Sequence, residues 1–410
     1  MKWKRAKISE VCQGIYDGPH ATPSVSEEGA VFLGISNITP DGHLDLSSPK
    51  YIGEKDLPKW TKRVTPQEGD IVFSYEATLN LYAIIPKGFR GCLGRRMALI
   101  RPDEEKVLGK FLYYYFFSDE WRGMIAENTV IGATVDRIPL IRFPNFPVSF
   151  PPVEKQRLIM SVLSAYDDLI ENNQKQIKLL EEAAQRLYKE WFVDLRFPGH
   201  ENTKITDGIP EGWEYKPIFD VFDFVRGRSY TSNELSDSTG VLMVNLKNIR
   251  AFGGYNRNAE KRFVGQFKDN QILSAGDVIM GVTDMTQERR LVGHVALVPN
   301  MGETMIFSMD LIKLIPKRTD NLFLYSAMIF GGVSKRISPL ANGVNVLHLK
   351  PEAIMGVEML IPNDKVVCQY HSQMAPVFSE IETLQKQCDI AAEARDRLLS
   401  KLMNGEKRGG

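Results

Sequence analysis

Pro151-Pro152-Val153-Glu154-Lys155-Gln156-Arg157-Leu158-Ile159 opens a stretch that closes at Glu190-Trp191-Phe192. Within it Ile159, Leu163, Tyr166, Ile170, Asn173, Ile177, Leu180, Ala184, Leu187 and Trp191 alternate steps of four and three, the roughly 3.5-residue period of a coiled-coil seam. Pro151 and Pro152 suit a helix start, Glu154 complements the dipole of the first turn, and Pro198-Gly199 lies just beyond the far end. The stretch predicts one long helix. At ~1.5 Å per residue, roughly 40 residues make a rod of about 60 Å, and a rod with one apolar seam needs a partner.

The same chain supplies one. Tyr370, Met374, Val377, Ile381, Leu384, Cys388, Ala391, Arg395, Leu398 and Leu402 repeat the alternation. Gln174 and Gln385, Glu182 and Glu393, and Arg186 and Arg397 each stand 211 positions apart, so seam falls on seam. The echo extends outside the helices. Asn37-Ile38 returns as Asn248-Ile249, Gly69-Asp70-Ile71-Val72 as Gly276-Asp277-Val278-Ile279, and Ala83-Ile84-Ile85-Pro86 as Ala296-Leu297-Val298-Pro299. The turn Gly132-Ala133-Thr134-Val135 matches Gly343-Val344-Asn345-Val346. Order is kept while offsets drift slightly, which describes a duplication whose loops vary around a common fold.

Composition sets the bounds. A chain of 410 residues suits two domains plus connecting elements, and its 43% hydrophobic and 25% charged content is that of a soluble globular protein. No apolar run reaches the roughly 20 residues of a membrane span, and Met1-Lys2-Trp3-Lys4-Arg5 leads into no signal-peptide core, so a cytoplasmic location is expected. Cys12, Cys92, Cys368 and Cys388 lie far apart without a C-x-x-C, against both a zinc cage and a disulfide framework. Lys plus Arg and Asp plus Glu both total 51, so no excess of positive charge draws the whole molecule onto a polyanion, and any nucleic-acid binding must use local basic patches or a partner's charge.

The reading along the chain is therefore a first globular segment over 1–150, a long helix over 151–197, a polar linker over 198–212, a second globular segment over 213–362, a second long helix over 363–404, and a tail over 405–410. Both globular segments read as α+β. Ile71-Val72-Phe73, Tyr82-Ala83-Ile84-Ile85 and Met97-Ala98-Leu99-Ile100 are strand candidates in the first, as are Val241 to Val244, Asp277 to Met280 and His294 to Val298 in the second. One aromatic-rich helix is expected from Lys110 to Met124, its rings packing a core, with Leu322 to Phe330 as its match. Pro376 inside the second periodic pattern predicts a kink there or a helix that starts there. Paired within the molecule, the helices run antiparallel as an intramolecular coiled coil, with a pseudo-two-fold axis relating the halves.

These residues bring the chain to a known family: it resembles the DNA-specificity subunit of type I restriction-modification enzymes over nearly its full length. The markers are Phe150-Pro151-Pro152-Val153-Glu154-Lys155-Gln156-Arg157, the segment Leu180-Glu181-Glu182-Ala183-Ala184-Gln185-Arg186-Leu187-Tyr188-Lys189-Glu190-Trp191-Phe192, and Gly69-Asp70-Ile71-Val72-Phe73-Ser74. Asp17-Gly18-Pro19-His20-Ala21-Thr22 and Thr283-Asp284-Met285-Thr286-Gln287-Glu288-Arg289-Arg290 are also similar. The resemblance implies two target-recognition domains on two helical spacers, a bipartite asymmetric site in double-stranded DNA, and no catalysis by this chain. It further implies two modification (methyltransferase) subunits that carry S-adenosylmethionine, and restriction subunits that use ATP and Mg²⁺ to translocate and cut. In keeping with this, neither a G-x-x-x-x-G-K-[ST] phosphate loop nor an Asn-Pro-Pro-aromatic motif occurs. A stand-alone methyltransferase or nuclease, and a coiled-coil scaffold without sequence specificity, are the alternatives.

Reading bases takes Arg, Lys, Asn or Gln on base edges, and positioning takes cations and hydroxyls on phosphates. The candidates in the first half are Lys59, Lys62 and Arg63 in a polar loop, Tyr75 and Thr78 after the Gly-Asp strand, and the cluster Arg90, Arg95 and Arg96. In the second half they are Lys261, Arg262, Thr283, Thr286, Gln287, Arg289 and Arg290.

Overall fold

A computed structural model describes residues 3–132 and 134–404. Met1, Lys2, Ala133 of the first glycine turn and the tail at 405–410 lie outside the described residues. The chain divides into two compact units, one formed by 1–172 with 387–410 and the other by 173–386.

In the first unit, short continuous apolar runs build a four-stranded antiparallel sheet in the order Cys12–Asp17, Met97–Pro102, Ile71–Ser74, Tyr82–Ile84. Its two central strands are buried on both faces. A smaller sheet places Ala30–Leu33 between antiparallel Lys50–Ile52 and parallel Gly91–Leu93. The second unit repeats both. Phe222–Arg226, Leu311–Pro316, Val278–Gly281 and Val295–Leu297 form the antiparallel sheet. Val241–Val244 lies between antiparallel Lys261–Phe263 and parallel Met305–Phe307, with Leu235–Ser236 and Ile272–Leu273 added at the edges. Even the closing ribbons correspond, Lys4–Lys7 with Pro147–Phe150 and Glu214–Pro217 with Glu358–Ile361. Duplication read from scattered motifs is thus a duplication of topology.

The repeated Asn-Ile motif has a physical reason. Asn248 is fully buried, its Oδ1 accepting from the Asn245 N–H at 2.9 Å and its Nδ2 donating to the Asn256 carbonyl at 3.0 Å. Asn37 makes the same pair of bonds, from the Gly34 N–H at 2.9 Å and to the Asp45 carbonyl at 3.1 Å. Each amide staples a 3-10 turn to the strand-like segment that follows. Asn248→Ala strands the buried Asn245 N–H and removes the donor of the Asn256 carbonyl, so urea unfolding should show a loss of about 2 kcal/mol; an unchanged midpoint would refute the staple.

The aromatic stretch differs from the single helix expected. It forms two helices, Gly109–Tyr115 and Asp119–Asn128, because the Ser118 hydroxyl accepts from the Trp121 N–H at 3.3 Å and caps a new start. Its rings do fill the core: Phe111, Tyr115, Phe116 and Trp121 are fully buried. The segment expected as a linker carries a hairpin, Ile205–Thr206 with Ile209–Pro210, and Phe197 packs at a tilt against Trp213 across it, ring centroids 4.7 Å apart.

The first long helix covers Val153–Tyr188 and passes into a π turn, Lys189–Val193, that turns both Trp191 and Phe192 inward. It therefore stops short of 197. Gln156 of the family marker is fully buried, accepting from the Leu108 N–H at 2.9 Å and donating to the Pro151 carbonyl at 2.8 Å. The second long helix runs Asp364–Asn404 with Pro376 in its interior, so of the two expectations for that proline, a kink or a helix start, the start is excluded. Val366, Val367, Tyr370 and Met374 are buried in the core of their unit. That burial outweighs the single hydrogen bond Pro376 withholds from the Ser372 carbonyl.

Within each unit the helices pack antiparallel. In the first, Ile159 and Leu163 share a cluster with Leu399 and Met403, and Asp167 meets Arg395. In the second, Ile177 packs with Ile381 and Leu384, flanked by Leu180 and Val377, and Ala184 and Trp191 join Tyr370 and Met374. Ile170 is buried on the seam, while Tyr166 and Leu187 are half-buried. Toward the end of the second helix the buried stripe moves by one residue, so Leu399 and Met403 are buried where Leu398 and Leu402 were expected and these two are only partly covered. A straight helix of about 3.6 residues per turn drifts from a 3.5-residue seam in this way.

The halves differ at one corresponding place. In the first unit Arg395 Nη1 lies 2.8 Å from Asp167 Oδ1, and the Tyr114 hydroxyl donates to the other carboxylate oxygen. The residues 211 positions away from Tyr114 and Asp167 are Tyr325 and Phe378, whose rings meet edge to face at 5.5 Å. A charged lock holds one unit and an apolar contact the other.

Cys12 and Cys92 are buried, and burial pushes both thiols up to about 12. All four cysteines are free. Among the described residues no helix is long and apolar enough to cross a membrane, and no three His, Cys, Asp or Glu side chains gather as metal ligands.

Candidate nucleic-acid interface

In each unit three loops converge where the Gly-Asp strand ends. The Tyr75 N–H donates to the Arg96 carbonyl at 3.2 Å, and the Ile138 N–H to the Tyr75 carbonyl at 2.8 Å. The second unit repeats both bonds: Val282 N–H to the Asp310 carbonyl at 2.9 Å, and Leu349 N–H to the Val282 carbonyl at 2.8 Å. The backbone frame is shared, and the side chains on it are not.

In the first unit the Tyr75 hydroxyl donates to the Arg95 carbonyl at 2.9 Å, Arg96 pairs with Glu76 at 3.5 Å, and the Ala77 N–H reaches the Asp136 carbonyl at 2.9 Å. Ala77 and Asn80 adopt left-handed backbone, at φ 68° and 62°. That conformation costs a non-glycine residue roughly 1 kcal/mol, and the surrounding bonds hold it in place. In the second unit the organiser is Asp284. Fully buried, its carboxylate accepts from the Thr286 N–H and hydroxyl, both at 2.8 Å, and from the N–H groups of Leu291 at 2.6 Å and Val292 at 3.2 Å. Burial pushes this carboxyl up, but those donors together outweigh it and hold it below the usual carboxylate range. The pinned loop carries Gln287, whose Nε2 donates to the Val344 carbonyl at 2.6 Å, and Arg289 at φ 53°.

The candidates from the sequence fall into three groups. Tyr75 and Thr283 are 5% and 9% exposed, which makes them supports of the loop frame; Thr283 bonds Asp310 at 3.1 Å. A second group is exposed or half-exposed but already paired: Arg63 with Asp17, Arg90 with Glu54, Arg262 with Glu303, Arg290 with Glu288, and Lys261 with the Tyr230 hydroxyl at 2.7 Å. Arg90, Arg95 and Arg96 therefore do not form one cluster. Thr286 belongs to the Asp284 network, and the exposed Thr78 accepts at its carbonyl from Ser74. Third, Lys59, which sits on the short helix Leu57–Trp60 and not in a loop, Lys62 and Arg95 are exposed with no side-chain partner among the described residues. Sequence reading missed Asp284, Glu76 and Asp310. Only Asp284 carried a signal, the Asp-x-Thr spacing of a side chain that bonds the backbone two residues on.

A tandem pair of α+β units, each gathering loops and cations at the same place on one sheet, is the architecture of a duplicated recognition protein. The family model for the type I restriction modification DNA specificity domain matches residues 2–182 and again 210–383. The chain belongs to that family and carries its domain twice. The MjaIX type I restriction enzyme specificity subunit of Methanocaldococcus jannaschii is 26% identical over 391 residues, covering 90% of this chain and 86% of the relative. The HindI specificity subunit of Haemophilus influenzae is 20% identical, covering 98% and 99%. The crystal structure of the S subunit of a type-I restriction-modification system from M. genitalium matches with a TM-score of 0.56 at 14% identity, over 98% of this chain and 96% of that one, a likeness of fold.

Proposed function

We propose that this chain is the sequence-reading subunit of a type I restriction-modification complex, in which each unit reads one half of a bipartite, asymmetric site in double-stranded DNA. The long helices, paired along their length as a coiled coil, set the spacing of the half-sites and dock two modification subunits and the restriction subunits. The chain itself does no chemistry and works in the cytoplasm; S-adenosylmethionine, ATP and Mg²⁺ belong to the partners. The observation that carries this reading is the loop junction present in both units with the same backbone bonds and different side chains, as two readers of two different sequences require. With 51 basic and 51 acidic residues, the chain leans on its partners for much of its electrostatic affinity.

Mapping methylated adenines in DNA from cells that express the full complex tests the reading. A split motif with two unlike halves and an unspecified spacer is expected. Methylation without a shared motif would favour a non-specific scaffold, and methyl transfer or cleavage by the purified chain alone would favour an enzyme.

A further inference from the structure

The position between the smaller sheet and the Met97–Pro102 strand is framed identically in both units. The Gly94 N–H donates to the Leu33 carbonyl at 2.8 Å, and the Ser308 N–H to the Val244 carbonyl at 2.8 Å. Two residues further on, the carbonyls of Arg96 and Asp310 accept from the ends of the equivalent Gly-Asp strands. The residue held between these two bonds is Arg95 in one unit and Met309 in the other.

Arg95 is exposed, and its backbone is fixed on one side by the Gly94 bond to Leu33 and on the other by Tyr75, whose hydroxyl donates to the Arg95 carbonyl and whose N–H donates to the Arg96 carbonyl. Arg90 and Arg96, the other two arginines of the same stretch, are committed to Glu54 and Glu76, whereas the Arg95 guanidinium has no hydrogen-bond or ion-pair partner among the described residues. Met309 is 57% exposed, belongs to none of the apolar clusters, and has its N–H bonded to the Arg228 carbonyl at 2.9 Å. An uncommitted guanidinium on a rigid turn matches the two acceptors on a guanine edge, and an exposed apolar side chain on the same turn matches a thymine methyl.

We propose that Arg95 and Met309 are equivalent specificity-determining residues, Arg95 selecting guanine at one position of the first half-site and Met309 selecting a thymine-bearing pair at the corresponding position of the second. The assignment rests on the two-reader function above and deepens it.

The test sequences methylated adenines after expression of the whole complex carrying wild-type chain, Arg95→Ala, Arg95→Lys or Met309→Ala. Arg95→Ala should lower discrimination at a single guanine by on the order of 10- to 100-fold, leave the other half-site intact, and be partly rescued by lysine. Met309→Ala should relax one A·T position in the other half. An unchanged motif for both alanine variants, or uniformly weaker methylation of every site, would overturn the assignment, the latter marking phosphate contacts. A wild-type complex that gives no split motif would instead refute the two-reader function.

Discussion

Replacing Asp167 with alanine should lower the free energy of unfolding by about 3 kcal/mol, measured by urea denaturation followed by far-UV circular dichroism. Asp167 and Arg395 are 17% and 11% exposed, so their 2.8 Å contact is largely shielded from solvent. Burial works against the charged guanidinium of Arg395; the carboxylates of Asp167 and Asp396 more than restore it and hold its pKa above the usual arginine range. Among the described residues, removing Asp167 leaves Arg395 with Asp396, which is 66% exposed, and also strands the Tyr114 hydroxyl. A shielded charge that loses its partner costs far more than a surface pair is worth. The double variant Asp167→Ala with Arg395→Met should recover most of the loss, because no charge is then left buried. A single-variant loss within about 0.5 kcal/mol of zero would place the pair among ordinary surface ion pairs.

Phe192→Ala should cost about 3–5 kcal/mol. The π turn at Lys189–Val193 puts this ring in the middle of an aromatic group, with centroids 4.9 Å from Tyr188, 5.0 Å from Tyr370, 5.2 Å from Phe323 and 5.7 Å from Trp213. Truncation opens a cavity lined by rigid rings on several elements, which do not collapse into it easily. Hydrogen exchange should accelerate in the strands of the second unit, whose core holds the ring, well before it does in 3–132. A loss under about 1 kcal/mol would mean the aromatic group repacks around the gap.

The long helices and the duplication were legible because each leaves a repeating trace: a seam in one case, motifs that return in the same order at nearly the same separation in the other. Helix limits were not. Pro376 signals a break locally, yet Tyr370 and its neighbours are buried before it, and tertiary burial decided where the helix begins. Ser118 split the aromatic helix through one hydroxyl, a cap concealed within a run of rings. At the candidate interface the cationic residue types were legible and their availability was not. Arg90 finds Glu54 across 36 positions and Arg262 finds Glu303 across 41, pairings that only the folded chain creates. The same holds for Met309, whose place in the fold shows only once the Ser308 and Asp310 bonds put it at the position of the second unit that Arg95 holds in the first.

Tyr114, Asp167 and Arg395 come from three distant segments but act as one set, whereas Tyr325 and Phe378 need only be apolar neighbours. A crossover between related genes that imports a new first segment together with a different residue at 167, while retaining Arg395, strands a cation in a dry setting and selects against the hybrid. Exchanges that leave the second unit's own segments to meet one another face no such veto. Under the proposed two-reader function, new target sequences should therefore be acquired more freely through the latter half of the gene than through the former.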